Sequence, residues 1–162
     1  MTDPFNGEGL PNRRMVWVED GVLRNLVFDR YWADQQGVSP TGFASGSFMM
    51  EGGNATLEEM IASTERGLLV TRFWYMRSVG PRTILYTGLT RDGTFLIENG
   101  QVAGAVQNLR WNESPIHILN NIEMMGESQR VLRAEDGSAS ASVIVPALKV
   151  RDFNFTSVSD AV

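Results

Sequence analysis

The apolar residues of this chain come in short runs separated by glycine-bearing turns, a pattern that reads as strands more than helices. Met15-Val16-Trp17-Val18 and Val22-Leu23-Arg24-Asn25-Leu26-Val27-Phe28 flank Glu19-Asp20-Gly21. This predicts a β-hairpin with Asp20-Gly21 in its turn. From Tyr31 to Asn54 the chain is rich in Gly, Ser and Gln and reads as a long loop, of a kind that is often functional. Thr56-Leu57-Glu58-Glu59 is a capping box, and Gly67 is a natural stop, so a helix is predicted over 56–66. Gly67 to Met76 is β-branched and aromatic without clean alternation, which suits a strand covered on both faces.

From about Arg82 to Trp111 the pattern predicts a three-stranded antiparallel meander. Within it, Asp92-Gly93 and Asn99-Gly100 are both dipeptides suited to type I′ turns, with Thr94 to Glu98 as the short strand between them. Ser114-Pro115 then opens a second predicted helix, with Ser as N-cap and Pro at the first helical position. Ile118, Leu119, Ile122 and Met125 form its apolar stripe and Gly126 its end. A Gly- and Ser-rich link over 134–142 leads to a strand at Ser142–Val145 and a terminal strand from about Leu148 to Phe155. The expected fold class is α+β and mostly β. Antiparallel hairpins and a meander form a sandwich- or barrel-like domain with two short helices, a single domain over residues 1–162.

Composition narrows the setting. A chain of 162 residues with 43% hydrophobic content is long enough to bury a core. No apolar run approaches the length of a membrane span, and MTDPFNGEGLPNRR has no signal-peptide pattern. There is no cysteine, which excludes disulfides and thiolate metal sites from this chain and makes the cytoplasm the expected location. The formal net charge is −5, Lys149 is the single lysine, and the arginines read as scattered. Direct nucleic-acid binding, which needs clustered cations against phosphates, is therefore not expected.

Candidate chemistry is sparse. One histidine, His117, and no cysteine cannot make an HExxH-type zinc site or a thiol nucleophile. No phosphate-binding glycine loop is present, and in Gly42-Phe43-Ala44-Ser45-Gly46 the serine stands one place late for a nucleophile elbow. No catalytic residue and no metal ligand is assigned. His117 reads as a boundary residue beside the apolar stripe. Glu8, flanked by Gly7 and Gly9, and Arg91-Asp92, at the expected meander turn, are the candidate substrate contacts. Phe73, Trp74 and Tyr75, with Trp17, Phe28, Tyr31, Trp32 and Trp111, read as core; an open sheet face would let some of them line a groove for an extended peptide.

Five segments carry a family resemblance: NGEGLPNRR, LEEMI..TERGLLVTRFWYMRSV, YTGLTRDGTFLIENGQV, RWNESP and VPALKVRDFNFTSVSDAV. In order and spacing they resemble the C-terminal portion of TldD/PmbA proteins, metallopeptidases once labelled modulators of DNA gyrase. The resemblance implies a zinc enzyme with an HExxxH motif upstream of this region and a cysteine near the C-terminus as third ligand. It also implies pairing as homodimers or as active and inactive subunits, and cleavage of small or unfolded peptides in an enclosed cavity. Neither HExxxH nor cysteine occurs here, and Arg130 to Ser142 reads RVLRAEDGSASAS, so no zinc ligand is carried over. The chain is thus expected to be the C-terminal domain of such a peptidase, enclosing the cavity and holding an extended peptide, without a cofactor of its own. The alternative is a standalone non-catalytic module that pairs with a catalytic relative.

Overall fold

A computed structural model of the chain describes residues 4–41, 47–131 and 142–159. These fall into two compact units, one holding the described residues up to Phe48 together with Ser142, the other those from Met49 to Val131 and from Val143 onward. In the first unit, β1 (Val18–Glu19) pairs antiparallel with β2 (Val22–Leu23). Asp20 and Gly21 between them have φ of 51° and 75°, the positive values that a type I′ turn demands. α1 (Arg30–Gln36) follows, inside the segment expected to be loop. Its ends are set by Asp29, whose side chain accepts from Trp32 N, and by Gly37 in the left-handed conformation. β3 (Ser47–Met49) spans the division between the units.

The second unit begins with α2 (Leu57–Ala62). The capping box is present: Glu59 N donates to Thr56 Oγ1 at 3.1 Å and Thr56 N to Glu59 Oε2 at 2.8 Å. The helix ends earlier than expected, because Ser63 and Thr64 turn their hydroxyls onto the Met60 carbonyl. Two long strands follow, β4 (Arg66–Gly80) and β5 (Leu85–Glu98), then β6 (Gln101–Ala105) and β7 (Leu109–Glu113). After α3 (Pro115–Asn120) come β8 (Ile122–Met125), β9 (Gln129–Val131), β10 (Ser142–Val145), β11 (Leu148–Val150) and β12 (Phe155–Val158). The chain is α+β and mostly β, with antiparallel pairing throughout the described registers, and the described sheets do not close into a barrel. It has three described helices where two were expected.

β5 is the axis of the main sheet. It pairs with β4 along one side; on the other its first half pairs with β7 (Tyr86↔Glu113, Gly88↔Trp111) and its second half with β6 (Phe95↔Ala105, Glu98↔Gln101). β12 extends the sheet beyond β7, while β8 pairs with β11 and β9 with β10. Asn99-Gly100 makes the expected tight turn, with φ of 50° and 76°. Asp92-Gly93 does not. β5 runs straight through it, and the register advances three residues on β5 (Thr94 to Arg91) for two on β4 (Val70 to Arg72). The extra residue makes a β-bulge, in this case with one residue at positive φ, Asp92 at 63°. The true β4–β5 turn lies between Gly80 and Leu85.

Two further expectations change. The second helix stops at Asn120, and Ile122 and Met125, expected on its stripe, belong to β8, where Leu148↔Met125 and Val150↔Ile122 pair them with β11. Leu119 is half exposed, and Ser114 makes no side-chain cap bond. The terminal strand is broken in two by Arg151 to Asn154, with Asp152 at a φ of 56°. That break turns Phe153 inward. Its ring stacks on Phe73 at 5.4 Å and 8°, meets Trp111 edge-on at 5.6 Å, and lies 4.8 Å from Phe155. These aromatics, with buried Met60, Leu89, Ile97 and Trp111, form the core. The link expected over 134–142 lies largely outside the described residues.

Candidate functional site

Strand alternation places Arg66, Arg72 and Trp74 on one face of β4 and Phe73 on the other, against the aromatic core. The bulge at Asp92 then sets Arg91 directly opposite Arg72. Their guanidinium carbons lie 4.8 Å (Arg72) and 5.6 Å (Arg91) from the Trp74 ring centre, so one indole carries two cations. Asp92 Oδ2 accepts from Arg72 Nη1 at 2.6 Å, while Arg91 Nε lies 4.0 Å from Asp92 Oδ1. Farther along β4, the Arg77 guanidinium covers the Tyr75 ring at 4.3 Å.

β4 has β5 on one side and no described strand on the other. From Arg66 to Trp74 it is free of insertions, since the nearest bulge there belongs to β5. Beyond Trp74 its own bulge, with Tyr75 at a φ of 54°, breaks the edge. Among the described strands, the stretch from Arg66 to Trp74 is therefore the regular outer edge of the sheet, beside the arginine–tryptophan cluster.

Arg91 and Asp92, chosen from sequence, come together here. Arg72 and Trp74 complete the cluster and were not chosen, because only the cross-strand register brings them to Arg91. The signal available was the arginine spacing: 66, 72, 77, 82 and 91 are all arginine, with no acidic residue between 66 and 91. Read along the chain they are scattered; folded, they lie on one hairpin. Glu8 belongs to the first unit, where its N–H donates to Asn6 Oδ1 at 3.0 Å and its carbonyl accepts from Arg30 Nη2 at 3.1 Å. The same unit has an open groove of about 390 Å³ lined by Leu23, Arg24, Leu26, Phe28, Val38 and Thr41.

His117 lies partly exposed on α3, with Nε2 at 2.7 Å from Asn121 Nδ2 and 4.0 Å from Glu113 Oε2. The Glu113 carboxylate is buried and already accepts from Ser114 N at 2.8 Å and Asn154 N at 3.2 Å, so it anchors backbone. Lys149 Nζ donates to Ser63 O and Oγ at 2.9 and 3.0 Å, closing the end of α2. Among the described residues no three of His, Cys, Asp and Glu gather where they would hold a metal ion. These residues do not fit a zinc site, and no zinc chemistry is assigned to them. Among them, too, no helix is long and apolar enough to cross a membrane.

Comparison with known proteins gives a consistent family. The model of the PmbA/TldA metallopeptidase C-terminal domain matches residues 1–157. The metalloprotease PmbA of Escherichia coli is 25% identical over 151 residues, covering 91% of this chain and 32% of that protein. The zinc metalloprotease TldD homolog of Saccharolobus solfataricus is 24% identical over 143 residues, covering 76% and 30%. Among solved structures, one from Bacteroides thetaiotaomicron named for modulation of DNA gyrase superposes with a TM-score of 0.76 at 28% identity, over 96% of this chain and 33% of its own. TldE from Thermococcus kodakarensis superposes at 0.70 and 23%, over 97% and 36%. The chain spans about a third of the length of the relatives it matches.

Proposed function

Because the chain belongs to the PmbA/TldA metallopeptidase C-terminal domain family, we propose that it is the substrate-holding domain of a TldD/PmbA-type zinc metallopeptidase. In the intact protein it helps to enclose the cavity, in a cytoplasmic setting, and keeps an extended peptide in place. Zinc and the residues that hydrolyse the peptide bond are assigned to the remainder of that protein. The observation that carries the reading is the position of β4 at the edge of its sheet among the described strands, with a regular backbone from Arg66 to Trp74. An extended peptide adds to such an edge through main-chain hydrogen bonds, which recognise conformation rather than sequence. That suits a peptidase for small or unfolded peptides.

The test is titration of the isotopically labelled chain with an unstructured peptide, read by amide chemical shifts. Shifts centred on residues 66–74, abolished when alternate peptide nitrogens are methylated, are the expected result. Shifts confined elsewhere, or none at saturating peptide, would refute the assignment.

A second reading, a non-catalytic module that pairs with a catalytic relative or with itself, is favoured by the first unit. Phe5, Leu23, Tyr31 and Trp32 are all more than half exposed there. Native mass measurement of the chain, alone and with a full-length relative, distinguishes the two. Peptidase activity that appears only in the mixture supports the module.

A further inference from the structure

Among the described strands β6 pairs with β5 alone. All seven residues from 101 to 107 are exposed, Val102 and Val106 at 46% and 37%. Exposed edges are ordinarily blunted by lysine, proline or an inward-pointing charge. Here the chain has no charged residue and no proline from Asn99 to Leu109. The one such device is a bulge: the register passes from Leu96↔Gly104 to Ile97↔Val102, which leaves Ala103 as the extra residue without a partner position on β5. On the other side of Gly104, Val106 N donates to Thr94 O at 2.9 Å. Successive residues of an antiparallel ladder turn their main-chain groups to opposite sides, so those of Ala105 face away from β5. Ala103 and Ala105, flanking Gly104, are the points at which β6 can take another strand.

The residues of that edge select the strand. Gln101-Val102-Ala103-Gly104-Ala105-Val106-Gln107 reads the same in both directions about Gly104. We infer that β6 is a self-docking edge, to which a second copy of this chain adds its own β6 antiparallel, about a two-fold axis through Gly104. Such an interface is isologous: whatever one copy presents, it meets again from the other. Ala103 then stands across from the second copy's Ala105, Val102 from its Val106 and Gln101 from its Gln107. On the axis the two Gly104 residues face each other, and a Cβ built on Gly104 meets nothing of its own chain within 4 Å. Charge selects the same occupant. A charged side chain near a two-fold axis meets its own kind, which destabilises a strand pair. β6 has none, whereas β4, also at an edge of this sheet, carries Arg66, Arg72 and Arg77. Once two copies have joined, each β6 has a neighbour on both sides, so assembly through this edge stops at the dimer. Seven residues from each copy make a contact smaller than a stable interface, so association is weak and rises with concentration. This surface gives the self-pairing of the second reading a place on the chain, separate from the exposed side chains of the first unit and from the β4 edge.

Sedimentation equilibrium across micromolar to millimolar concentrations tests it, on the unmodified chain, on Gly104→Lys and Gly104→Glu, and on an equimolar mixture of the two variants. The unmodified chain should move from monomer toward dimer and no further. Each charged variant alone should need about five-fold more protein to do so, because like charges face each other on the axis. The mixture should regain the dimer at low salt and lose that gain at high salt, which misfolded variants could not do. Ala105→Pro removes an outward N–H without adding charge and should also weaken the dimer. It decides alone if the charged variants fail to fold. A chain that stays monomeric at every concentration overturns the inference. A dimer unchanged by the substitutions at Gly104, or by Ala105→Pro, also overturns it and leaves self-pairing to another surface. Failure of folded variants to recover on mixing, or growth of the unmodified chain beyond two copies, overturns the two-fold pairing about Gly104.

Discussion

Trp111 lies against Gly88, its cross-strand partner on β5, so closely that a Cβ at Gly88 would stand 2.5 Å from Trp111 Cζ2. Trp111 is 4% exposed and touches Phe73 and Phe153, so the ring has nowhere to retreat. Gly88→Ala is therefore expected to destabilise the chain by about 1–3 kcal/mol, more than the few tenths to 1 kcal/mol that reduced unfolded-state entropy returns. Urea denaturation followed by Trp fluorescence measures it. A gain in stability would show that the indole can move.

The seam between residues 50–55 and 125–128 makes a sharper case. Gly53 N donates to Gly126 O and Ala55 N to Met125 O, so two backbones run in contact. A Cβ on Gly52 would lie 2.2 Å from Gly126 O, and one on Gly53 2.6 Å from Met125 O. Gly52→Ala and Gly53→Ala should each cost at least the upper part of the 1–3 kcal/mol range for overpacking, since backbone rather than a flexible side chain must give way. Gly104→Ala is the control: a Cβ there meets nothing within 4 Å, and the change should be neutral or slightly stabilising. Chemical denaturation of the three variants checks the ranking.

Glu113 holds two backbone N–H groups, of Ser114 and Asn154, from a buried position. Glu113→Gln keeps the shape but turns one acceptor into a donor that faces a donor. The expected loss is about 1–3 kcal/mol. Thermal denaturation reads it, and Glu113→Asp, which keeps the charge but shortens the reach, should not restore the loss.

α2 is closed at both ends by side chains, Thr56 at the start and Lys149 at the finish. Thr56→Ala should cost about 0.5–2 kcal/mol through the lost cap. Lys149→Met should cost a similar amount, about 0.3–2 kcal/mol, through the lost charge at the helix C-terminus. Amide hydrogen exchange within Leu57–Ala62 should quicken in both. Protection unchanged in either variant would mean that packing of Met60 alone holds the helix.

Asp92 is held at positive φ by the bulge and bonded to Arg72 across the strands. Asp92→Asn, a residue that tolerates the same backbone, should change stability by less than about 1 kcal/mol, because an exposed ion pair contributes little. Asp92→Val should cost more, since a β-branched residue is strained there. Equal losses would mean that the ion pair, not the backbone, is what the bulge depends on.

Some of these features were legible along the chain and some were not. The turns at Asp20-Gly21 and Asn99-Gly100 and the capping box of α2 were legible because each is a demand made by adjacent residues on one another. α1 was legible in the same terms, from Asp29 and Gly37, but the surrounding Gly, Ser and Gln masked it. Asp92-Gly93 was misread because a type I′ turn and this bulge both hold the aspartate at a positive φ. The choice fell to β5, paired on both sides and therefore continuous. Ile122 to Met125 fits either period over so short a run, and pairing with β11 decided for strand.

The candidate site divides in the same way. Arg91 and Asp92 stood out as a charged pair beside a glycine. Arg72 and Trp74, about twenty residues earlier, join them only through a register that one inserted residue in β5 creates. By itself the sequence determined where the chain bends, which helix ends are capped, and that no cysteine chemistry is available here. It also held the family resemblance that the comparison with known proteins bears out. The tertiary structure alone decided which Asp-Gly is a bulge, which aromatics form the core, and that arginines spaced along a hairpin face one indole. Dihedral preferences are set by near neighbours, whereas cross-strand register is set by which distant faces must be buried together.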